Sequence, residues 1–311
     1  MRLKWGRPDI ERYRDRFDLP EAASDAPVTV SWMGVSTLLV SDGDTGLLTD
    51  GFFSRPGLLE VGLGRIRPSQ SRIDDSLRRS GIDRLAAVLP VHTHFDHVLD
   101  SAVVAERTGA VMIGGESAAN IARGQGLPEE RIVVAEPGTL MTFGGFEVTL
   151  IESEHCPPDR YPGTITEPVR PPAKTSAYRC GEAWSTLIHH RPSDRRLLIQ
   201  GSAGFRTGTL AGQRADVAYL GVGQLGVQPV GYLERYWEET VRAVGARRVV
   251  LIHWDDFFRP LTEPLRALPY AGDDLDVTMR VLCRFAARDG VELHLPTVWE
   301  RADPWSQGVL P

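Results

Sequence analysis

Val91-His92-Thr93-His94-Phe95-Asp96-His97 sets three histidines and a carboxylate within residues 92–97. The stretch follows the apolar run Leu85-Ala86-Ala87-Val88-Leu89, which reads as a buried strand. It precedes Val98-Leu99 and Ala102-Val103, where a helical apolar period begins. On extended backbone, residues i and i+2 project to the same side, so His92 and His94 face one point and can hold one cation. Asp96 and His97 fall where strand gives way to helix and aim at a second position nearby. Imidazole nitrogens with a carboxylate are the donors of a zinc or similar transition-metal site. Eight histidines among 311 residues leave little room for a chance H-x-H-x-D-H, and the stretch is read as a metal site.

Upstream, residues 1–26 are charged and poor in core residues, with Ile10, Tyr13 and Phe17 as one weak helical stripe. They read as an N-terminal extension, and 27–311 as one domain. Val28–Trp32, Thr37–Val40 and Leu47–Asp50 read as strands of an antiparallel meander, turning at Ser41-Asp42-Gly43-Asp44. The Gly- and Pro-rich residues 57–70 read as an exposed loop whose Leu58, Leu59, Val61 and Leu63 line a pocket mouth. A helix from Arg72 to Ser80 leads to the strand before the histidines.

Downstream, strands are expected at 110–113, 132–134 and 146–151, the last opened by the hairpin turn Gly144-Gly145. His155 lies just beyond. Residues 156–183 are Pro-rich and aperiodic, too long for a plain connection, and are read as a pocket-forming or lid loop. Strands at 184–189, 196–200, 217–222 and 248–252 follow, the last ending at His253. Asp273 or Asp274 caps a helix that stops at Gly290, before a closing strand at 291–295.

Composition narrows the function. Apolar residues at 42% and charged residues at 24% suit a globular chain with a sizeable core. A net charge of −6 argues against a nucleic-acid surface. No apolar run reaches the ~18 residues of a membrane span. The basic start Met1-Arg2-Leu3-Lys4 has no apolar core behind it, so no secretory signal is expected. Cys156, Cys180 and Cys283 make no disulfide framework, which points to a cytoplasmic protein. Only Lys4 and Lys174 are lysines among 35 basic residues, an arginine bias that suits a GC-rich bacterial genome.

Three separate strand ends thus present histidines: His92 with His94, His155, and His253. This spacing and context resemble the metallo-β-lactamase superfamily. The resemblance covers about residues 28–295 and implies an α/β chain of mixed sheets in a four-layer αββα sandwich, with metals at one edge. It implies that His92, His94 and His155 bind a first metal and that Asp96, His97 and His253 bind a second. It makes Asp50 the partner that orients a ligand histidine. Trp32–Thr37, Leu47–Ser54 and Ile252–Phe257 look like motifs of the branch that holds ascorbate-phosphate lactonases and N-acyl-phosphatidylethanolamine phospholipase D-type proteins.

The pattern departs from the family at Gly201-Ser202-Ala203-Gly204, where Ser202 replaces the aspartate that bridges both metals. A neutral hydroxyl is the poorer ligand, so the second metal is expected to bind more weakly unless Asp159, Asp255 or Asp256 supplies a carboxylate. The cofactor expected is zinc, one or two ions, with manganese or iron as other candidates. The activity implied is hydrolysis of a small ester, lactone, amide or phosphodiester by a metal-activated hydroxide, with Asp96 as catalytic proton carrier. The alternatives are a non-hydrolytic or redox-iron protein on the same scaffold, and a phospholipase that touches lipid through residues 57–63. The expected partner is a small-molecule substrate, not nucleic acid. His189, His190 and His294 read as structural, Cys180 and Cys283 as small buried hydrophobes, and Tyr161 and Trp184 as pocket or core aromatics.

Overall fold

In a computed structural model, which describes residues 4–306, the chain alternates strands and helices. Residues 1–3 and 307–311, the outer ends of the two proposed segments, lie outside the described residues. The strands are β1 (Thr29–Trp32), β2 (Leu38–Ser41), β3 (Gly46–Thr49), β4 (Ala87–Leu89), β5 (Val111–Gly114), β6 (Ile132–Val134) and β7 (Leu140–Phe143). They continue as β8 (Phe146–Ser153), β9 (Ala183–His190), β10 (Arg195–Gln200), β11 (Val217–Gly221), β12 (Arg248–Ile252), β13 (Glu292–His294) and β14 (Arg301–Ala302). One sheet runs β14-β1-β2-β3-β4-β5-β6 and the other β13-β12-β11-β10-β9-β8-β7.

The pleat of the strands builds the layers. Leu47, Ala87 and Leu89 point into a core shared with Phe146, Val148, Leu197 and Ile199 of the other sheet. Their neighbours Leu48, Val88 and Met112 point the opposite way, into a second core. The helices α1 (Leu58–Leu63), α2 (Gln70–Arg79), α3 (Phe95–Val98), α4 (Ser101–Thr108) and α5 (Glu116–Gly124) lie on this side, and α2, α4 and α5 supply its apolar cover. On the far face of the other sheet, α6 (Val230–Trp237), prolonged by a π-helical turn at Glu238–Arg242, packs with α7 (Leu275–Asp289). Leu233, Trp237, Met279, Leu282 and Phe285 are their buried stripe. The result is the four-layer αββα sandwich. Asp274 caps α7 by accepting from the Val277 N–H, and Gly290 ends it with φ +65°.

Two expectations need correction, and one strand had no expectation behind it. Residues 57–70 are not all loop, because Leu58–Leu63 form α1. That helix buries none of its residues and leaves Leu58, Leu59 and Leu63 more than half exposed, so it lacks the apolar stripe that would have announced it. The early meander is only the antiparallel half of a mixed sheet, since β3, β4, β5 and β6 pair in parallel. The two-residue β14 is too short to carry a pattern, yet it pairs with β1 at the sheet edge. In the extension, Ile10–Arg16 form a 3₁₀ helix, and Ile10, Tyr13 and Phe17 pack against the shared core.

Candidate metal centre

β3 and β4 run parallel, and so do β10, β11 and β12. β8 pairs antiparallel with β9, which pairs antiparallel with β10, so β8 points the same way as β10. The C-terminal ends of these strands release Asp50, residues 91–97, His155, Ser202 and His253 at one edge of the sandwich. Distance in sequence is thereby removed by strand direction.

The six expected ligands gather as two sets. His92, His94 and His155 each offer a ring nitrogen within 4.8 Å of the others, and so do the side chains of Asp96, His97 and His253. The sets adjoin, with the His92 and His97 ring centroids 3.9 Å apart. His92 Nε2 and His94 Nδ1 approach to 3.2 Å. In the second set, Asp96 Oδ2 lies 3.6 Å from His253 Nε2 and 3.8 Å from His97 Nε2.

Protein groups fix the rings from behind. His97 Nδ1 donates to Asp50 Oδ2 at 2.7 Å, which leaves the buried Nε2 as an unpartnered lone pair facing Asp96 and His253. Asp50 is itself held by the Val91 N–H, 2.9 Å from Oδ1. His155 Nδ1 donates to the Cys156 carbonyl at 2.6 Å. His94 Nε2 faces Asp159 Oδ1 at 3.1 Å. Asp159 therefore stands behind a histidine rather than replacing the missing bridge. Asp255 is spent on Arg55, and Asp256 on Arg7 and Arg266.

Burial sets the charge states. It pushes His94 and His253 down to about 4 and holds His92 and His97 well below the usual imidazole range, so the rings stay neutral and each keeps one nitrogen lone pair for ligation. Burial also raises Asp96 to about 7 and Asp50 well above the carboxylate range. Neutral imidazoles and under-compensated buried carboxylates are both relieved by a divalent cation, so the donor set fits one.

The backbone around the centre is strained. Val35, Asp50, Arg55, Gln224 and His253 all have positive φ, 42° to 67°. The Val35 carbonyl accepts from the His253 N–H at 3.0 Å, and the Val35 N–H donates to Asp255 Oδ1 at 2.9 Å. Gly204 backs against the Glu154 carbonyl and the His155 backbone, where any side chain would collide.

Ser202 lines the same cavity as both sets, and its hydroxyl accepts from the Cys156 N–H at 3.0 Å. Cys156 itself is buried and joins neither set. Cys180 is buried as a small hydrophobe would be, and its thiol lies beside His94 and Asp159. No periodicity signals that contact. Tyr161 lines the cavity, whereas Trp184 is core. His189 pairs with Glu147 and Asp194, and His294 with Asp18. His190 lies against Asp42 and Ser193. Sequence reasoning missed Arg7, Arg266 and the three phenylalanines Phe95, Phe257 and Phe258 that line the cavity.

No protein-family model matches the chain. A UPF0173 metal-dependent hydrolase of Myxococcus xanthus is 28% identical over 137 residues, 44% of this chain and 42% of that protein. The chain thus matches less than half the length of this relative. Among solved structures, a metallo hydrolase from Ignicoccus hospitalis superposes with TM-score 0.54 at 15% identity, covering 88% of this chain and 97% of that one. The metallo-β-lactamase fold protein YhfI from Bacillus subtilis gives 0.51 at 14% identity, with coverage of 88% and 97%. CmlA, a diiron β-hydroxylase from Streptomyces venezuelae, gives 0.52 at 14% identity, covering 90% of this chain and 54% of that one. Its αββα sandwich and these structural likenesses show that the chain has the metallo-β-lactamase fold, and its sequence is similar to that of metal-dependent hydrolases.

Proposed function

We propose that the protein is a metal-dependent hydrolase that cleaves a small ester, lactone, amide or phosphodiester with two zinc ions. The observation that carries this reading is the pair of adjoining ligand sets opening on one cavity. His92, His94 and His155 hold the first ion; Asp96, His97 and His253 hold the second. Zinc, when bound, would lower the pKa of its coordinated water to about 7 and polarise the scissile group. Asp50 and the Cys156 carbonyl keep the His97 and His155 imidazoles in the orientation that ligation needs. Asp96 lines the cavity and belongs to the second set, where its carboxylate can take the proton of the attacking water and return it to the leaving group. Ser202 offers a hydroxyl where a carboxylate would bridge, so the second ion is held more weakly than the first.

Purified protein is expected to contain between one and two zinc ions per chain by elemental analysis. Turnover in a panel of lactones, aryl esters and phosphodiesters should vanish with a chelator and return with zinc. Equal turnover after complete metal removal would end this reading. Iron is the second reading, favoured by the shared fold with CmlA. Iron as the co-purified metal, with oxygen uptake, would displace zinc hydrolysis.

Helix α1, with Leu59 78% and Leu63 88% exposed beside the cavity mouth, favours a lipid-surface substrate as a variant of the hydrolase reading. Failure to float with liposomes would remove that variant. Cys156, Cys180 and Cys283 are all free thiols, and no helix among the described residues is long and apolar enough to cross a membrane. The thiols support a cytoplasmic setting.

A further inference from the structure

The centre opens into a cavity of about 620 Å3 whose wall is of two kinds. Phe95, Phe257 and Phe258 form a continuous aromatic surface, with centroids 6.2 Å apart for Phe95 and Phe257 and 4.5 Å for Phe257 and Phe258. The rest mixes aliphatic side chains such as Leu58, Val61 and Leu268 with four arginines, Arg7, Arg160, Arg259 and Arg266.

Their partners show which charges are left over. Arg259 is neutralised by Glu263. Arg7 Nη1 and Arg266 Nη2 reach the same oxygen, Asp256 Oδ2, at 3.0 and 3.1 Å. One carboxylate shared by two guanidiniums leaves one positive charge over. Arg160 has no carboxylate within ion-pair distance among the described residues and lies 5.8 Å from the Tyr161 ring centroid. The Arg7–Asp256–Arg266 group is also held in place. The Asp256 side chain is only 6% exposed, its N–H donates to the Arg266 carbonyl at 2.8 Å, and Arg7 also donates to the Ala267 carbonyl at 2.8 Å. Arg7 keeps Nε and Nη2 without protein partners among the described residues, a fork suited to a planar or tetrahedral oxyanion.

We infer that Arg7 and Arg266, supported by Arg160, bind an anionic group, phosphate-like or carboxylate, of a substrate whose apolar body lies on the three phenylalanines. The inference rests on the hydrolase reading for calling the bound molecule a substrate. It makes the N-terminal extension part of the site, because Arg7 reaches it from 249 residues away. Two contacts strap that segment down: Lys4 Nζ to Asp274 Oδ2 at 2.5 Å, and the Tyr270 N–H to the Gly6 carbonyl at 3.0 Å. Asp256 lies three residues beyond His253, so the anion station is tied to the same segment as a metal ligand.

Calorimetric titration of the full-length, metal-loaded protein with 1-naphthylphosphonate, 1-naphthoate and neutral 1-naphthol tests it. At least one anion is expected to bind about tenfold or more tightly than naphthol, and which anion wins tells phosphate-like from carboxylate recognition. Arg7→Gln and Arg266→Gln should each weaken that anion about fivefold or more. Each variant leaves Asp256 one arginine, so the fold is kept. Anions held only by the metals would not respond to these substitutions. Naphthol binding as tightly as both anions, or anion affinity within about twofold of wild type in both variants, would overturn the inference. If the hydrolase reading alone fails, metal-dependent turnover is absent while arginine-dependent anion binding remains.

Discussion

Asp96→Asn is expected to lower kcat/KM by about 100- to 10,000-fold, the range spanned by removal of a positioned acid or base. Two losses combine. The amide cannot take the proton of the attacking water, and it is a neutral donor where the second set has its single carboxylate. Bound zinc should therefore fall toward one ion per chain while His92, His94 and His155 keep theirs. The same change should act in the opposite direction on the metal-stripped protein. Asp96 is buried with only neutral imidazoles 3.6 and 3.8 Å from Oδ2, and a buried carboxylate without a cation is destabilising. Asn removes that burden, so the stripped variant should melt at a higher temperature than stripped wild type. Steady-state kinetics, elemental analysis and thermal melts of both forms check the three parts. Activity within threefold of wild type would remove Asp96 from the chemistry.

Arg55→Met is expected to destabilise the protein by about 3–5 kcal/mol, the cost of leaving one partner of a buried ion pair uncompensated. Arg55 and Asp255 pair with both side chains 0% exposed. Arg55 Nε also donates to the Arg259 carbonyl at 2.6 Å, and Nη2 to the Asp256 carbonyl at 3.0 Å. The damage should reach the centre, because Asp255 accepts from the Val35 N–H and the Val35 carbonyl accepts from the His253 N–H. His253 sits at φ +59°, a conformation that its surroundings must impose. Urea unfolding at fixed metal content should show the loss of stability, and zinc titration should show a weakened second site. A change below about 1 kcal/mol would mean that water or a rearranged partner compensates Asp255.

The parts legible in the sequence are those where neighbours in the chain are also neighbours in space. Residues 92–97 announce the centre because a strand end puts i and i+2 on one side. α7 announces its ends because Asp274 and Gly290 each do local work at the backbone. His155 and His253 were visible as histidines at the ends of apolar runs, but only strand direction brings them to His92 and His97. Ser202 was visible only as a departure from a resembled pattern.

What escaped depends on long-range contact. Arg7 lies in a charged segment that reads as an N-terminal extension, packed or arm-like, and its partner Asp256 lies across the whole chain. Asp159 and Cys180 lie in the aperiodic loop, where no spacing rule tells which side chain meets His94. α1 escaped for a different reason: its leucines point to solvent, so its pattern carries no core face.

The most direct test of the two-set centre is an anomalous-scattering map at the zinc edge, from crystals of the full chain grown with zinc. Two peaks are expected, one at about 2.0–2.2 Å from nitrogens of His92, His94 and His155, the other equally close to Asp96, His97 and His253. A single peak with Asp96, His97 and His253 unligated, or zinc held by Asp159 and Cys180 instead, would contradict the account.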